Sequence, residues 1–115
     1  MKKENIIREK SLDFALKMID LFKTLQKSNE YVISKQLLKS GTSIGANIEE
    51  ASAAQSRKDF ISKMAIASKE ARETKYWLNL LERSQLVKYD YSVYQKEIDD
   101  IINIITAIVK TTSTA

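Results

Sequence analysis

The carboxylates are the first side chains of this sequence to consider for chemistry. Glu70 and Glu73 are one helical turn apart, and Glu49 and Glu50 are adjacent on another segment. A di-iron site in a helical bundle takes a Glu-x-x-His sequence from each of two helices. Because the chain contains no His, that site cannot be built in the usual way. We interpret Glu70 and Glu73 as partners of basic side chains, for example Lys69 with Glu73 at i, i+4.

Nucleophilic catalysis has little support in the sequence. The absence of Cys excludes a thiol nucleophile, a thiolate metal site and a disulfide framework, and the absence of His removes the commonest general base. The serines have no such base to activate them, and no G-x-S-x-G elbow is present. We therefore predict a protein that is not an enzyme and that uses no metal and no cofactor.

Basic side chains form the most informative polar pattern. Residues 57–83 contain seven basic and four acidic residues, in a chain of net charge +4. At 100° per residue, one side of a helix here carries four cations and an aromatic ring: Lys58, Lys69, Arg72, Arg83 and Tyr76. Cations spread over about 37 Å of helix can meet successive phosphates, and a tyrosine can stack on a base. The alternative interpretation is an ordinary solvated face.

The helix that positions these cations is well marked. Ser56 and Asp59 form a capping box at its start. Opposite the cations, small and apolar residues recur at spacings of four and three: Phe60, Met64, Ala67, Ala71, Thr74, Leu78 and Leu81. The pattern predicts a helix over residues 57–84 with its core side opposite its charged side.

The same periodicity predicts three more helices, over residues 5–26, 30–55 and 91–110. The 115 residues include no Pro and only two Gly, so helix breakers are nearly absent. Short polar connections join the helices, and residues 111–115 are expected to be a frayed tail. We predict a single all-α domain, an antiparallel up-down-up-down four-helix bundle.

The first predicted helix carries two adjacent apolar rows. One row is Ile7, Ser11, Phe14, Met18, Leu21 and Leu25, and the second is Leu12, Ala15, Ile19 and Phe22. Two rows make a wide apolar face, which is typical of a bundle helix that touches more than one neighbour.

The second predicted helix has polar residues in its apolar row. Ser40 and Asn47 occupy core positions of this row, so we expect them to be hydrogen-bonded within or across the bundle. Gly41 and Gly45 lie beside the row and indicate either close helix approach or a local kink. A phosphate-binding glycine loop is disfavoured because no Lys-Ser/Thr follows and no strand precedes.

A second apolar cluster lies on the helix of residues 57–84, about 100° from its main row. It consists of Ile66, Trp77 and Leu80. Such a cluster is either a wider core or a subunit contact, and we favour the contact because Trp is enriched at interfaces. Glu73, beside Trp77, is then a candidate for an intersubunit salt bridge.

The lengths of the apolar segments determine the predicted localisation. The N-terminus lacks the apolar run of a signal peptide, and no apolar stretch approaches the roughly 20 residues of a membrane span. We predict a soluble, cytoplasmic protein.

Two motifs carry a family resemblance that covers nearly the whole chain. SGTSIGANIEEA (residues 40–51) and SRKDFISKMAIASKEARETKYWL (residues 56–78) resemble the four helix bundle protein family, formerly called S23 ribosomal proteins. Its members are encoded in intervening sequences of bacterial 23S rRNA genes. The pattern is also similar to the accessory variability determinant of diversity-generating retroelements. The resemblance implies a barrel-like homopentamer and, in the retroelement branch, binding to nucleic acid and a reverse transcriptase.

Two functions follow as hypotheses. The first is a non-enzymatic homo-oligomeric bundle that binds structured RNA or DNA through the basic face, with Ile66, Trp77 and Leu80 holding subunits together. The second is a protein–protein adaptor whose oligomer docks a partner enzyme such as a reverse transcriptase.

Overall fold

A computed structural model describes residues 3–114, and these residues form four α-helices. The helices are α1 (Lys3–Lys27), α2 (Ile33–Ser52), α3 (Arg57–Ser84) and α4 (Ser92–Thr114). The described residues contain no strand and fill a rod of 46 × 22 × 20 Å. The predicted all-α four-helix bundle is confirmed.

The four helices form a ring in which each packs against the helix before it and the helix after it. Contacts join α1 with α2, α2 with α3, α3 with α4, and α4 with α1, so α1 and α3 are diagonal. Polar contacts pair the start of one helix with the end of the next, which makes neighbours antiparallel. Examples are Arg8 with Glu49, Gln26 with Ser34, Lys63 with Glu50, and Asn79 with Gln95.

The core lies along the axis of the ring and is built by one row from each helix. On α1 the first predicted row, from Ile7 to Leu25, is buried at all six positions. On α3 the buried residues are Met64, Ala67, Ala71, Thr74, Leu78 and Leu81. Burial of large apolar side chains contributes about 1.5–3 kcal/mol each, which makes this axis the main source of stability.

Both ends of α3 lie where the sequence places them. The Ser56 hydroxyl accepts a hydrogen bond from the Asp59 amide at 3.0 Å, as expected of the N-cap. At the other end Gln85 takes a left-handed conformation, with φ of 47°, and its amide donates to the Leu81 carbonyl at 3.0 Å. The predicted limits, 57–84, are those observed.

The predicted start of the second helix at residue 30 is wrong by three residues. Asn29 has φ of 64° and ends α1, with its amide donating to Gln26 and the Glu30 amide donating to Leu25. The Glu30 carboxylate then accepts the amides of residues 32, 33 and 34, at 3.0, 3.0 and 2.6 Å. Glu30 therefore stands before α2 and caps it from outside.

The ends of α2 and α4 also differ from the predicted limits. Helix α2 stops at Ser52 rather than residue 55. The amides of Ala53 and Ala54 donate to carbonyls three residues back, and Ser56 then caps α3. Helix α4 continues to Thr114, so the expected frayed tail is helical as far as it is described. The hydroxyls of Thr112 and Thr114 donate to carbonyls one turn back within this segment. Residue 115 lies outside the described residues.

The two glycines of α2 face α1 rather than kinking the helix. Helix α2 is continuous from Ile33 to Ser52. A Cβ placed on Gly41 would lie 2.6 Å from Met18 Cγ, whereas one on Gly45 would lie 3.4 Å from Ser11 Oγ. Of the two interpretations of these glycines, close helix approach is the one observed, and it is tightest at Gly41.

The prediction that both apolar rows of the first helix contact neighbouring helices is wrong within this chain. Leu12 and Ile19 are 62% and 40% exposed, and Ala15 and Phe22 are half-buried. Helix α1 contacts only α2 and α4, and both contacts are made by the inward row and its edges. The second row therefore points away from the bundle.

Candidate nucleic-acid interface

The six basic side chains of α3 that follow Arg57 divide into two groups by direction. Those that face neighbouring helices are paired: Lys63 with Glu50 at 3.6 Å and Lys75 with Asp99 at 2.7 Å. The outward ones are all exposed, and within residues 3–114 none of them forms an ion pair: Lys58, Lys69, Arg72 and Arg83. The fold thus leaves four cations without carboxylate partners along about 37 Å of one surface. We call this surface the basic stripe.

Tyr76 lies in the middle of the basic stripe and is 59% exposed. Its ring packs edge-on against Trp77, with centroids 5.1 Å apart and an interplanar angle of 72°. This contact fixes the tyrosine ring and leaves much of its surface open to solvent. A base could stack on that surface.

The sequence-predicted contact residues of α3 lie on the side of the stripe nearest α2. Trp77 is three residues beyond Thr74, whose hydroxyl donates to Ser40 of α2 at 2.9 Å. Trp77 is half-buried, while Ile66 and Leu80 are exposed. Part of the Trp77 ring packs against the core, and its remaining surface forms an exposed apolar patch with Ile66 and Leu80. We call this patch the Trp77 surface.

Glu73 belongs to the Trp77 surface through a hydrogen bond within the chain. Its Oε2 accepts from Trp77 Nε1 at 3.2 Å. The expected pair of Lys69 with Glu73 does not form among the described residues. The carboxylate therefore orients the indole.

The two predicted polar core residues of α2 lie in different environments. Ser40 is fully buried, and its hydroxyl bridges the Leu37 carbonyl and the Thr74 hydroxyl. Asn47 is half-buried at the edge of the core, where its Nδ2 donates to the Ser43 carbonyl at 2.8 Å. Only Ser40 links two helices.

Sequence reasoning missed a second exposed apolar surface, on α1. Leu12, Leu16 and Ile19 point outward and are 62%, 55% and 40% exposed. We call this row the Leu16 surface. Its spacing of four and three is the spacing of a core row, so periodicity alone could not distinguish it from one. Because α1 and α3 are diagonal, the Leu16 surface and α3's outward side lie on opposite sides of the bundle.

The carboxylates that the sequence offered for catalysis separate in the fold. Glu49 turns to α1 and takes both guanidinium contacts of Arg8, at 3.0 and 3.1 Å, whereas Glu50 turns to Lys63 of α3. The hydrogen bond from Arg8 lowers the pKa of Glu49, and the same bond raises the pKa of Arg8. Among residues 3–114, no three His, Cys, Asp or Glu side chains come together as a metal site would require.

A cleft of about 420 Å³ lies where the start of α1, the end of α2 and the start of α3 meet. Its floor is apolar, with Ile48, Phe60 and Met64, and its rim carries Arg8 and Ser56. Arg8 is held by Glu49, and the Ser56 hydroxyl caps α3. Both polar groups therefore have partners within the chain.

The buried tyrosines near the start of α4 remain protonated at neutral pH. Burial, reinforced by a hydrogen bond to Tyr89, raises the pKa of Tyr94 to about 12. The pKa of Tyr91 is also raised, mainly by burial and to a smaller extent by the charge of Glu30. The Tyr91 hydroxyl donates to the Val87 carbonyl at 2.8 Å. Tyr91 is part of the hydrophobic core, and Tyr94 packs against it.

Across residues 3–114, no helix is both long and apolar enough to cross a bilayer.

The fold and the surface define a class: an antiparallel four-helix bundle with one basic outer face and two exposed apolar surfaces. The family described as 23S rRNA-intervening sequence protein matches residues 3–107, and the chain belongs to this family. A crystal structure from Bacteroides thetaiotaomicron, described as a protein with unknown function from the S23 ribosomal protein family, is 47% identical. The match covers 95% of this chain and 99% of that one, with a TM-score of 0.90. No curated protein matches the chain.

Proposed function

We propose that this protein is a non-enzymatic homo-oligomeric bundle that binds structured RNA or DNA through the basic stripe of α3. The observation that carries the proposal is the division of the α3 cations. The cations that face neighbouring helices, Lys63 and Lys75, pair with carboxylates of those helices. The four outward cations have no carboxylate partner within residues 3–114: Lys58, Lys69, Arg72 and Arg83. Unpaired cations at intervals along a rigid helix suit a phosphate backbone.

Charge reversal within the stripe tests this function. The double variant Lys69→Glu with Arg72→Glu changes the charge of the stripe by four, and we expect at least tenfold weaker binding to a labelled RNA hairpin or 20-bp DNA. The physical reason is that each lost phosphate contact also loses its counterion release. Fluorescence anisotropy at about 50 mM salt measures the affinity, and circular dichroism verifies the fold.

A matched control has the same charge change on other helices. Lys10 of α1 and Lys35 of α2 are exposed, and neither forms an ion pair within residues 3–114. Changing both to Glu should weaken binding less than threefold. Equal losses in the two double variants would show a response to net charge alone and would contradict the assignment to α3.

The homo-oligomer in this proposal is supported by two uncovered apolar surfaces on opposite sides of one chain. The Leu16 surface lies on α1 and the Trp77 surface on α3. A contact between two unlike surfaces is heterologous, and it closes into a ring when the rotation between subunits allows. We propose a ring of five, as the family resemblance implies. Five basic stripes in one particle would raise the affinity by avidity.

Leu16→Glu is expected to dissociate the oligomer, because it places a charge in an apolar contact. Size-exclusion chromatography with light scattering should then give the mass of one chain, 13.2 kDa, in place of a multiple. The control is Leu86→Glu, which changes a leucine that is 61% exposed outside both surfaces. An unchanged mass for Leu16→Glu would exclude the Leu16 surface from the contact.

The second candidate function is an adaptor that docks a partner enzyme such as a reverse transcriptase. The extent of exposed apolar surface favours it, since patches of this kind mark interaction sites. An oligomer that shows no affinity for RNA or DNA at about 50 mM salt would favour the adaptor.

A further inference from the structure

An open groove of about 330 Å³ runs between α3 and α4 beside the basic stripe. One wall is made by Ala65, Ser68 and Arg72 of α3, and the other by Thr106, Val109 and Lys110 of α4. Arg72 is three residues before Lys75, which contacts Asp99 of α4, so Arg72 stands on the α4 side of the stripe. The groove therefore extends the basic face onto a second helix.

The groove holds two cations and no carboxylate. Within residues 3–114 neither Arg72 nor Lys110 forms an ion pair. The acidic residues of α4 on the preceding turns have other partners: Asp99 pairs with Lys75 at 2.7 Å and Asp100 with Lys96 at 3.4 Å. The positive charge of the groove is therefore not neutralised by the protein around it.

Two hydroxyls complete the polar lining. Many serines and threonines of these helices donate to a carbonyl one turn back, as Thr42, Ser43 and Thr112 do. Within the described residues Ser68 and Thr106 make no such bond, and both line the groove. A guanidinium, an ammonium and two free hydroxyls are the donors that typically contact the oxygens of a backbone phosphate.

We infer that this groove binds a backbone phosphate of the nucleic acid, held by Arg72 from α3 and Lys110 from α4. The inference rests on the proposed function and goes further, because it assigns a site and adds Lys110 to the contact residues. No aromatic ring lines the groove, so its ligand is a phosphate and not a stacked base. The Trp77 surface is on the other side of α3, so a neighbouring subunit there leaves the groove open.

Lys110→Gln tests the inference with minimal change to the fold. It should weaken binding of the RNA hairpin about three- to tenfold and make the log–log salt slope shallower by up to about 0.7–0.9, the value for complete loss of one phosphate contact. The control Lys10→Gln removes the same charge from α1 and should change the affinity less than twofold. Because Arg72 and Lys110 share one phosphate, Arg72→Gln with Lys110→Gln should cost less than the product of the two single effects.

The outcomes separate the groove from the proposed function. If the wild-type protein binds with a steep salt slope but Lys110→Gln behaves like Lys10→Gln, the groove assignment is wrong and the proposed function stands. If the wild-type protein binds no RNA or DNA, both fail. Inorganic phosphate is the third arm: if it raises the melting temperature of the wild-type protein but not of Lys110→Gln, while RNA affinity is equal in both, the groove is a free-phosphate site and the inference is overturned.

Discussion

Gly41→Leu is expected to destabilise the protein by about 3 kcal/mol or more, because α1 and α2 have no space for a side chain at this position. A Cβ on Gly41 would lie 2.6 Å from Met18 Cγ and 3.0 Å from its sulfur. Met18 is fully buried, so it cannot move into solvent to relieve the clash. Urea denaturation followed by circular dichroism measures the loss of unfolding free energy.

The matched pair Gly41→Ala and Gly45→Ala isolates the packing effect. The same substitution on the same helix gains about 1 kcal/mol of helix propensity at either position. At Gly45 the new Cβ would be 3.4 Å from Ser11 Oγ, an ordinary contact, so we expect net stabilisation. At Gly41 the clash should reverse the sign. If both variants are stabilised equally, the close approach at Gly41 is not a constraint.

Glu30→Ala is expected to cost about 2–3 kcal/mol at pH 7, because three amides at the start of α2 lose their shared acceptor. The residue is only 7% exposed, so water replaces the carboxylate poorly. Burial alone would raise the pKa of Glu30, but the backbone amides of Ile33, Ser34 and Val32 and the Ser34 hydroxyl together lower it below its usual value. The carboxylate is therefore ionised in the folded protein at neutral pH.

The lowered pKa gives this prediction a pH dependence with a definite sign. The ionised cap stabilises the fold fully above the unfolded-state pKa, near 4.5, and this stabilisation is lost as the pH falls through the lower folded-state pKa. The stability difference between wild type and Glu30→Gln should therefore shrink as the pH is lowered below about 4.5. As a control, Glu9→Gln, exposed on α1, should change stability by less than about 0.5 kcal/mol at pH 7. A Glu30→Gln difference that does not vary with pH would contradict the capping role.

Local signals explain why α3 could be predicted to the residue. The N-cap signal, Ser56 with Asp59, is contained within four residues, and the inward row continues without interruption to Leu81. The start of α2 could not be found in this way. Glu30 is compatible with a helix position in the sequence, and only the turn at Asn29, with its positive φ, places the carboxylate over the amides that follow.

The outer surfaces show what periodicity leaves open. The rows that begin at Ile7 and Leu12 have similar spacing, yet the first is buried at every position and the second is exposed or half-buried. Spacing reports which residues share a face of a helix, and it carries no information on whether a neighbour covers that face. Arg72 and Lys110 are far apart in sequence, and they come to one groove only because α3 and α4 pack side by side.

The affinity of the wild-type protein for structured RNA and duplex DNA, measured by fluorescence anisotropy over a salt series, is the most direct test of nucleic-acid binding by α3. We expect log K to fall with log salt with a slope of about −3 or steeper, reporting the release of several counterions, and binding to persist at about 150 mM salt. No change in anisotropy even at about 50 mM salt, or an affinity that does not vary with salt, would contradict the proposed role of the basic stripe.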